Sequence, residues 1–114
     1  MVAPTKRDWL EVYGDEYRER GLYIVAAHFD AVMQTIHVKL QAGMTVSVPK
    51  ERVQGLAHAT GEQLAEVIIS PGGWSVEFPR VDEGISLEGL LSGRFGNDRW
   101  EREWAEKHPE MQAA

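Results

Sequence analysis

The acidic cluster worth testing for chemistry is the Asp82-Glu83 pair, with Glu77 before it and Glu88 after it. Paired carboxylates suit a divalent cation or a general acid/base step. The same two acids also precede a short helical run opened by Ser86, where exposed backbone N–H groups attract negative charge without any ligand. The helix-start role explains them most simply, and a metal-dependent hydrolase built on Asp82, Glu83 and a histidine ranks last among the readings. The histidines His28, His37, His58 and His108 lack the i, i+4 spacing of a metal-binding helix, although His28 and His37 fall in strand-like runs and could meet across a sheet. There is no cysteine, hence no thiolate nucleophile, disulfide or cysteine-based zinc site. Gly73-Trp74-Ser75-Val76 lacks the second glycine of a nucleophile elbow, and Gly72-Gly73 reads as a turn rather than a phosphate loop. No catalytic residue, metal ligand or cofactor is expected, and the chain does not read as an enzyme.

Aromatic residues carry the stronger signal. Five of the ten Phe, Trp and Tyr residues lie in the end segments, as Trp9, Tyr13 and Tyr17 near the start and Trp100 and Trp104 near the finish. Both sets recur every four residues, which puts each on one helix face. Trp and Tyr dominate binding hot spots, and Trp100 and Trp104 stand among Arg99, Glu101, Arg102 and Glu103, as a groove-binding helix would present them. The expected contact residues for a protein partner are therefore Trp100, Trp104, Arg99 and Arg102, then Trp9, Tyr13 and Tyr17, with the Asp82–Glu83 corner second. Stripes at helical spacing also serve simply as core, and a helix can do both when it is shared with a partner or with a second copy in a homodimer.

The elements that must hold these residues read as α+β. Residues 5–20 predict a helix capped by Thr5 or Asp8, weakened by Gly14 and stopped at Gly21. Leu22 to Phe29 is nearly all apolar and predicts a strand covered on both faces. Ile36, Val38 and Leu40 alternate with Thr35, His37 and Lys39, and after Gln41-Ala42-Gly43 the pattern returns through Met44, Val46 and Val48, a hairpin. Pro49 opens a predicted helix over 50–59 with Val53, Leu56 and Ala57 inward; Thr60 and Gln63 have capping-box spacing. Val67 to Ile69 and Trp74 to Phe78 flank a Pro71-Gly72-Gly73 turn as a second hairpin, and residues 80–84 read as a loop. Ser86 caps a helix over 87–92 that stops at Gly93, and residues 98–108 form a charged helix ending at Pro109. The whole predicts one small antiparallel sheet of four to five strands with short helices packed on it.

At 114 residues the chain has room for one domain, since domains commonly run about 100–150 residues. Eighteen acids against twelve bases argue against a globally basic nucleic-acid binder. A local one, an autoregulator using the Arg94–Arg102 region, remains as the alternative, with acids close by in the sequence. The longest apolar run, Leu22 to Ala27, is far too short to span a membrane, and the start lacks a signal-peptide pattern, so a cytoplasmic protein is expected.

Four stretches together resemble a known family: Ile36 to Val48 closing on Pro49; Ala59-Thr60-Gly61-Glu62-Gln63; Val76-Glu77-Phe78-Pro79; and Val81 to Gly93, an Asp-Glu-x-Ile-Ser-x-x-Gly-Leu-Leu-x-Gly run. On these, residues 22–93 resemble the bacterial domain of unknown function 2442. The chain departs where members often carry His-Trp-Pro in place of Glu77-Phe78-Pro79, and a second acid in place of Gly84. The resemblance implies a small α+β fold and carries no established enzyme activity. It also implies a co-encoded small protein as partner, in an arrangement like a toxin–antitoxin pair. The helical extensions 5–20 and 97–108 fall outside it.

Overall fold

Strict alternation over Ile36–Leu40 puts three aliphatic side chains on one face, and all three are fully buried. They belong to β2 (Thr35–Leu40), the centre of an antiparallel sheet flanked by β1 (Ile24–Asp30) and β3 (Thr45–Pro49). The computed structural model describes residues 6–109, with side chains from Tyr13 onward; the proposed Thr5 cap, the side chain of Asp8 and that of Trp9 lie outside the described residues. Register pairs Ile36 with Val48 and Val38 with Val46, as the hairpin pattern predicts.

The remaining strands do not extend this sheet. β4 (Ile68–Ile69), β5 (Ser75–Phe78) and β6 (Glu83–Ser86) make a second three-stranded sheet, in place of the single four- to five-stranded sheet expected. A register shift between Ile24 and Ala26 interrupts the β1–β2 ladder at the end of β1 near the second sheet. There Gly73 sits against the Ile24 backbone, so close that a Cβ on Gly73 would come within 2.4 Å of the Ile24 carbonyl oxygen. The two sheets thus meet by packing and share one core, which runs from Ile36, Val38 and Leu40 through Leu56 and Leu64 to Val76, Phe78 and Leu87. β1 is not covered on both faces: Val25, Ala26 and His28 are exposed, and only Ile24 is fully buried.

Two other expectations change. Residues 80–84 are not simply a loop, because Asp82 takes a positive φ of 52° and turns the chain back so that Glu83–Ser86 pairs with β5. The helix over 50–59 shortens to a 3-10 turn at Lys50–Arg52. Val53 is extended there, and the Gln54 N–H donates to Phe95 O at 3.0 Å instead of continuing a helical ladder. Val53 and Leu56 are nonetheless buried, as their spacing predicts, and Ala57 is half-buried.

The helix ends follow their sequence signals closely. Helix α1 (Lys6–Glu19) closes with Gly21 at φ 72°, the Gly21 N–H donating to Arg18 O and the Leu22 N–H to Tyr17 O, a Schellman arrangement. Its Gly14 faces the Trp74 ring, with room for little more than a Cβ. Helix α2 (Leu87–Ser92) begins where the Ser86 hydroxyl accepts from the Gly89 N–H at 3.0 Å and ends at left-handed Gly93. Helix α3 (Asp98–Lys107) is capped by Asn97, which accepts from the Trp100 N–H at 2.8 Å. Thr60 and Gln63 form the reciprocal capping box.

Gly73 and Gly93 share a φ of 76°, yet a Cβ on Gly93 would meet nothing within 4 Å. Alanine at Gly93 should therefore cost only the left-handed penalty, about 1–2 kcal/mol. Alanine at Gly73 should cost clearly more, because it also drives the Ile24 backbone away. Urea unfolding of the two variants checks this, and equal losses would show that the approach of the two sheets is not a constraint.

Candidate functional site

Helix α3 contributes no fully buried residue, so something other than core packing must fasten it. That fastening is Arg52. Its Nη2 donates to Glu101 Oε2 at 2.6 Å and to Gly93 O at 3.2 Å, and its guanidinium carbon lies 5.2 Å from the ring centroids of both Phe95 and Trp104. The Arg52 carbonyl accepts from Trp100 Nε1 at 2.9 Å, and Glu101 Oε1 also accepts from the Phe95 N–H at 2.8 Å. Gln54 completes the seam by accepting from the Asn97 N–H at 2.9 Å. Charge-assisted bonds of this kind are the strong ones, and the planar guanidinium serves the carboxylate and both rings at once.

Held this way, α3 leaves a groove of about 440 Å³ between itself and the 50–59 segment. Trp100, Trp104 and His108 line it from the helix side, and Glu51, Ala57 and His58 from the other, with Glu103 and Lys107 completing the lining. The two indole rings are 6.3 Å apart, and the His108 ring stacks on Trp104 at 4.0 Å. Both tryptophans are half-buried: part of each ring rests on the protein and part faces the groove.

The other expected contact residues are distributed differently. Arg99 is exposed and paired with Glu103 at 3.0 Å, at the flank of the groove. Arg102 is exposed but stands two residues from each tryptophan, roughly 200° around the helix, so it points away from the groove. Tyr17 packs against the core, and Tyr13, 39% exposed, has its ring 6.3 Å from that of Tyr17. Arg18 of the same helix lies over the Tyr23 ring and donates to Gly72 O. Helix α1 is thus held at the second sheet's turn through Arg18 and Gly14, and neither Tyr13 nor Tyr17 lines the α3 groove.

At the acidic corner, Asp82 forms the turn and Glu83 opens β6 opposite Phe78. Neither is seen capping α2; Ser86 does that alone. Glu83 lies against Gly55, where a side chain would collide with its carboxylate. Among the described residues no three His, Asp or Glu side chains are grouped to hold a metal ion. The cations of the 94–102 region are largely engaged, Arg94 with Asp98 and Arg99 with Glu103, which weakens any pull on phosphates. The Asp98 carboxyl is held below its ordinary range by the Arg94 hydrogen bond and charge.

His28 and His37 do meet across β1 and β2, with ring centroids 5.0 Å apart. His37 Nε2 faces Asp30 Oδ2 at 3.2 Å, and His37 Nδ1 faces Ser47 Oγ at 2.7 Å. The Asp30 carboxyl is held below its ordinary range, first by the Met33 N–H and then by His37.

A family model for proteins of unknown function (DUF2442) matches residues 24–96, which is the two-sheet core together with α2. The chain belongs to this family. A crystal structure of a protein of unknown function from Rhodospirillum rubrum is similar at 32% identity with a TM-score of 0.64, covering 68% of this chain and 94% of that one. The solution structure of an uncharacterized protein from Chromobacterium violaceum is similar at 27% identity with a TM-score of 0.68, covering 96% of both chains. The second likeness reaches beyond the family segment into the end helices. No protein with a curated description matches the chain. Among the described residues no helix is long and apolar enough to cross a membrane.

Removing the guanidinium at Arg52→Ala should cost about 2–3 kcal/mol, the range for hydrogen bonds to a charged group, and should shift tryptophan emission to the red as α3 loosens. Arg52→Lys should recover only part of this, since an ammonium cannot serve the carboxylate and the two rings together. Equilibrium unfolding followed by fluorescence reads both. The Asp30 pKa is depressed in the fold, so its contribution is present above the unfolded value near 3.8 and is lost as pH falls through the lower folded value. Asp30→Asn should flatten that acid limb, measured as unfolding midpoints from neutral pH down to about pH 2.

Proposed function

We propose that this protein works by binding another protein through the aromatic groove beneath α3. The observation that carries the reading is how Trp100 and Trp104 are held. The Trp100 indole N–H is satisfied within the chain at Arg52 O, and Trp104 is braced between Arg52 and His108, while both rings still face an open groove. Rigid aromatic surface in a preformed pocket costs little entropy on binding and forms the usual centre of a hot spot. The occupant that fits is an apolar side chain on a partner's surface. Around it, charges of both signs would meet Glu51, Glu103 and Lys107, which tune specificity more than affinity. The action is occlusion: the partner's working surface is covered. This is an antitoxin-like or inhibitory role toward a small co-encoded protein.

The test is isothermal titration of the full chain with the product of the adjacent gene. Ala57→Arg would fill the groove while leaving every contact of Arg52 in place, and should weaken binding about 30-fold or more, the loss of one hot spot of about 2 kcal/mol. Arg102→Ala, on the opposite side of α3, should leave affinity unchanged. Binding by the Ala57→Arg variant at wild-type strength would rule the groove out as the contact.

A further inference from the structure

The outer face of the first sheet carries a hydrogen-bonded chain of three side chains that the groove does not involve. Register places His28, His37 and Ser47 side by side across β1, β2 and β3, with Ala26, Lys39 and Thr45 as the next row. Asp30 is fixed first: its Oδ1 accepts from the N–H groups of Val32 at 3.0 Å and Met33 at 3.1 Å. Its Oδ2 then faces His37 Nε2 at 3.2 Å. An ionised carboxylate can only accept, so this contact places the ring proton on Nε2 and leaves Nδ1 to accept from the Ser47 hydroxyl at 2.7 Å. A hydroxyl bonded to a base, with the base oriented by a third group, is the arrangement that activates a serine. The ring is used with its two nitrogens exchanged relative to a serine-protease triad.

The surroundings suit a small electrophile. Ser47 is exposed. In the row beside it lies an open hollow of about 180 Å³ over Ala26 and Ala27, bounded by His28, His37, Lys39 and Thr45. Lys39 is exposed and forms no ion pair among the described residues, so its ammonium is available to charge that develops on a carbonyl oxygen. We propose that Ser47 is an activated nucleophile that accepts the acyl group of small esters, with His37 as its base and Asp30 as the positioning residue. In the first step the Ser47 hydroxyl proton passes to His37 Nδ1, and Oγ bonds to the carbonyl carbon. The ester C–O bond breaks, and the departing alkoxide takes the proton from His37. In the second step a water molecule gives a proton to His37 Nδ1 and bonds to the acyl carbon. The bond to Oγ breaks, and Ser47 recovers its proton from His37. The hollow accommodates only a short acyl chain.

The probe is p-nitrophenyl acetate, incubated with the full chain and followed by release of the phenol, intact mass and peptide mapping. A single acetyl group on Ser47 is expected, and Ser47→Ala should lose both the adduct and the release above background. His37→Gln keeps hydrogen-bonding atoms but cannot take up the proton, and should slow release about 100-fold, in the range typical of a lost general base. Asp30→Asn should lower kcat with KM little changed, because the ring is no longer fixed with Nδ1 towards Ser47, and Asp30→Glu should restore part of the rate; a merely structural role would not give that kcat-against-KM split. Circular dichroism confirms that the variants are folded, and exposed Ser47 gives its alanine variant no reason to unfold. Acetylation confined to lysines, or equal release by wild type and Ser47→Ala, overturns the proposal. Partner binding through the groove is independent of this face, so the two readings stand or fall separately.

Discussion

Arg52 holds the C-terminal part of the chain to the rest, and the groove exists because it does. Helix α3 has no apolar residue deep enough to dock it, so its position rests on a guanidinium that reaches Glu101, the end of α2 at Gly93, and the rings of Phe95 and Trp104. A partly buried charge of this sort is costly to desolvate and is held only while its partners are in place. One Arg52 nitrogen, Nη1, is buried with no hydrogen-bond partner, which adds to that cost. The result is a helix fastened by directional contacts along one seam. Its indole rings stay at the surface instead of sinking into the core.

The second constraint is the close approach of Gly73 to Ile24, where the sheets meet without a shared ladder. The first sheet presents its inner face to the common core and leaves most of its outer face exposed. On that open face strand register sets the row His28, His37 and Ser47. The same register that buries Ile36 and Val38 therefore aligns the polar side chains on the other side. A one-residue slip would destroy both faces together.

Local signals in the sequence specify structure where the physics is local. The β2–β3 hairpin follows from alternation, the α2 start from Ser86, its stop from Gly93, and the Thr60–Gln63 capping box from spacing. What could not be read depends on residues far apart. Arg52 and Glu101 are 49 positions apart and look like two ordinary charges among many. β6 carries only one buried apolar side chain, Ile85, and its pairing depends on a positive φ at Asp82 that no residue type there demands. The helix over 50–59 failed for a similar reason: Gln54 found its backbone partner in Phe95, across the fold, and that contact outweighed a weak local preference. For the site, the two tryptophans and the meeting of His28 with His37 were legible from spacing. The far wall of the groove, Glu51, Ala57 and His58, was not.

The two aromatic stripes show how one sequence pattern meets two different surroundings. Tyr13 and Tyr17 in α1 and Trp100 and Trp104 in α3 share the same four-residue spacing, and from spacing alone both are equally core or interface. The difference lies in what each helix finds beneath it. Helix α1 meets Trp74 and Tyr23, an apolar floor against which Gly14 and Tyr17 can close. Helix α3 meets the polar segment around Arg52 and Gln54, which offers hydrogen bonds but little surface to bury. Tyr17 joins the partly buried edge of the core while Tyr13 stays exposed, and Trp100 and Trp104 stay half-buried over the polar seam, facing the groove. The likeness to the Chromobacterium violaceum protein spans 96% of the chain, so both end helices belong to a shared architecture.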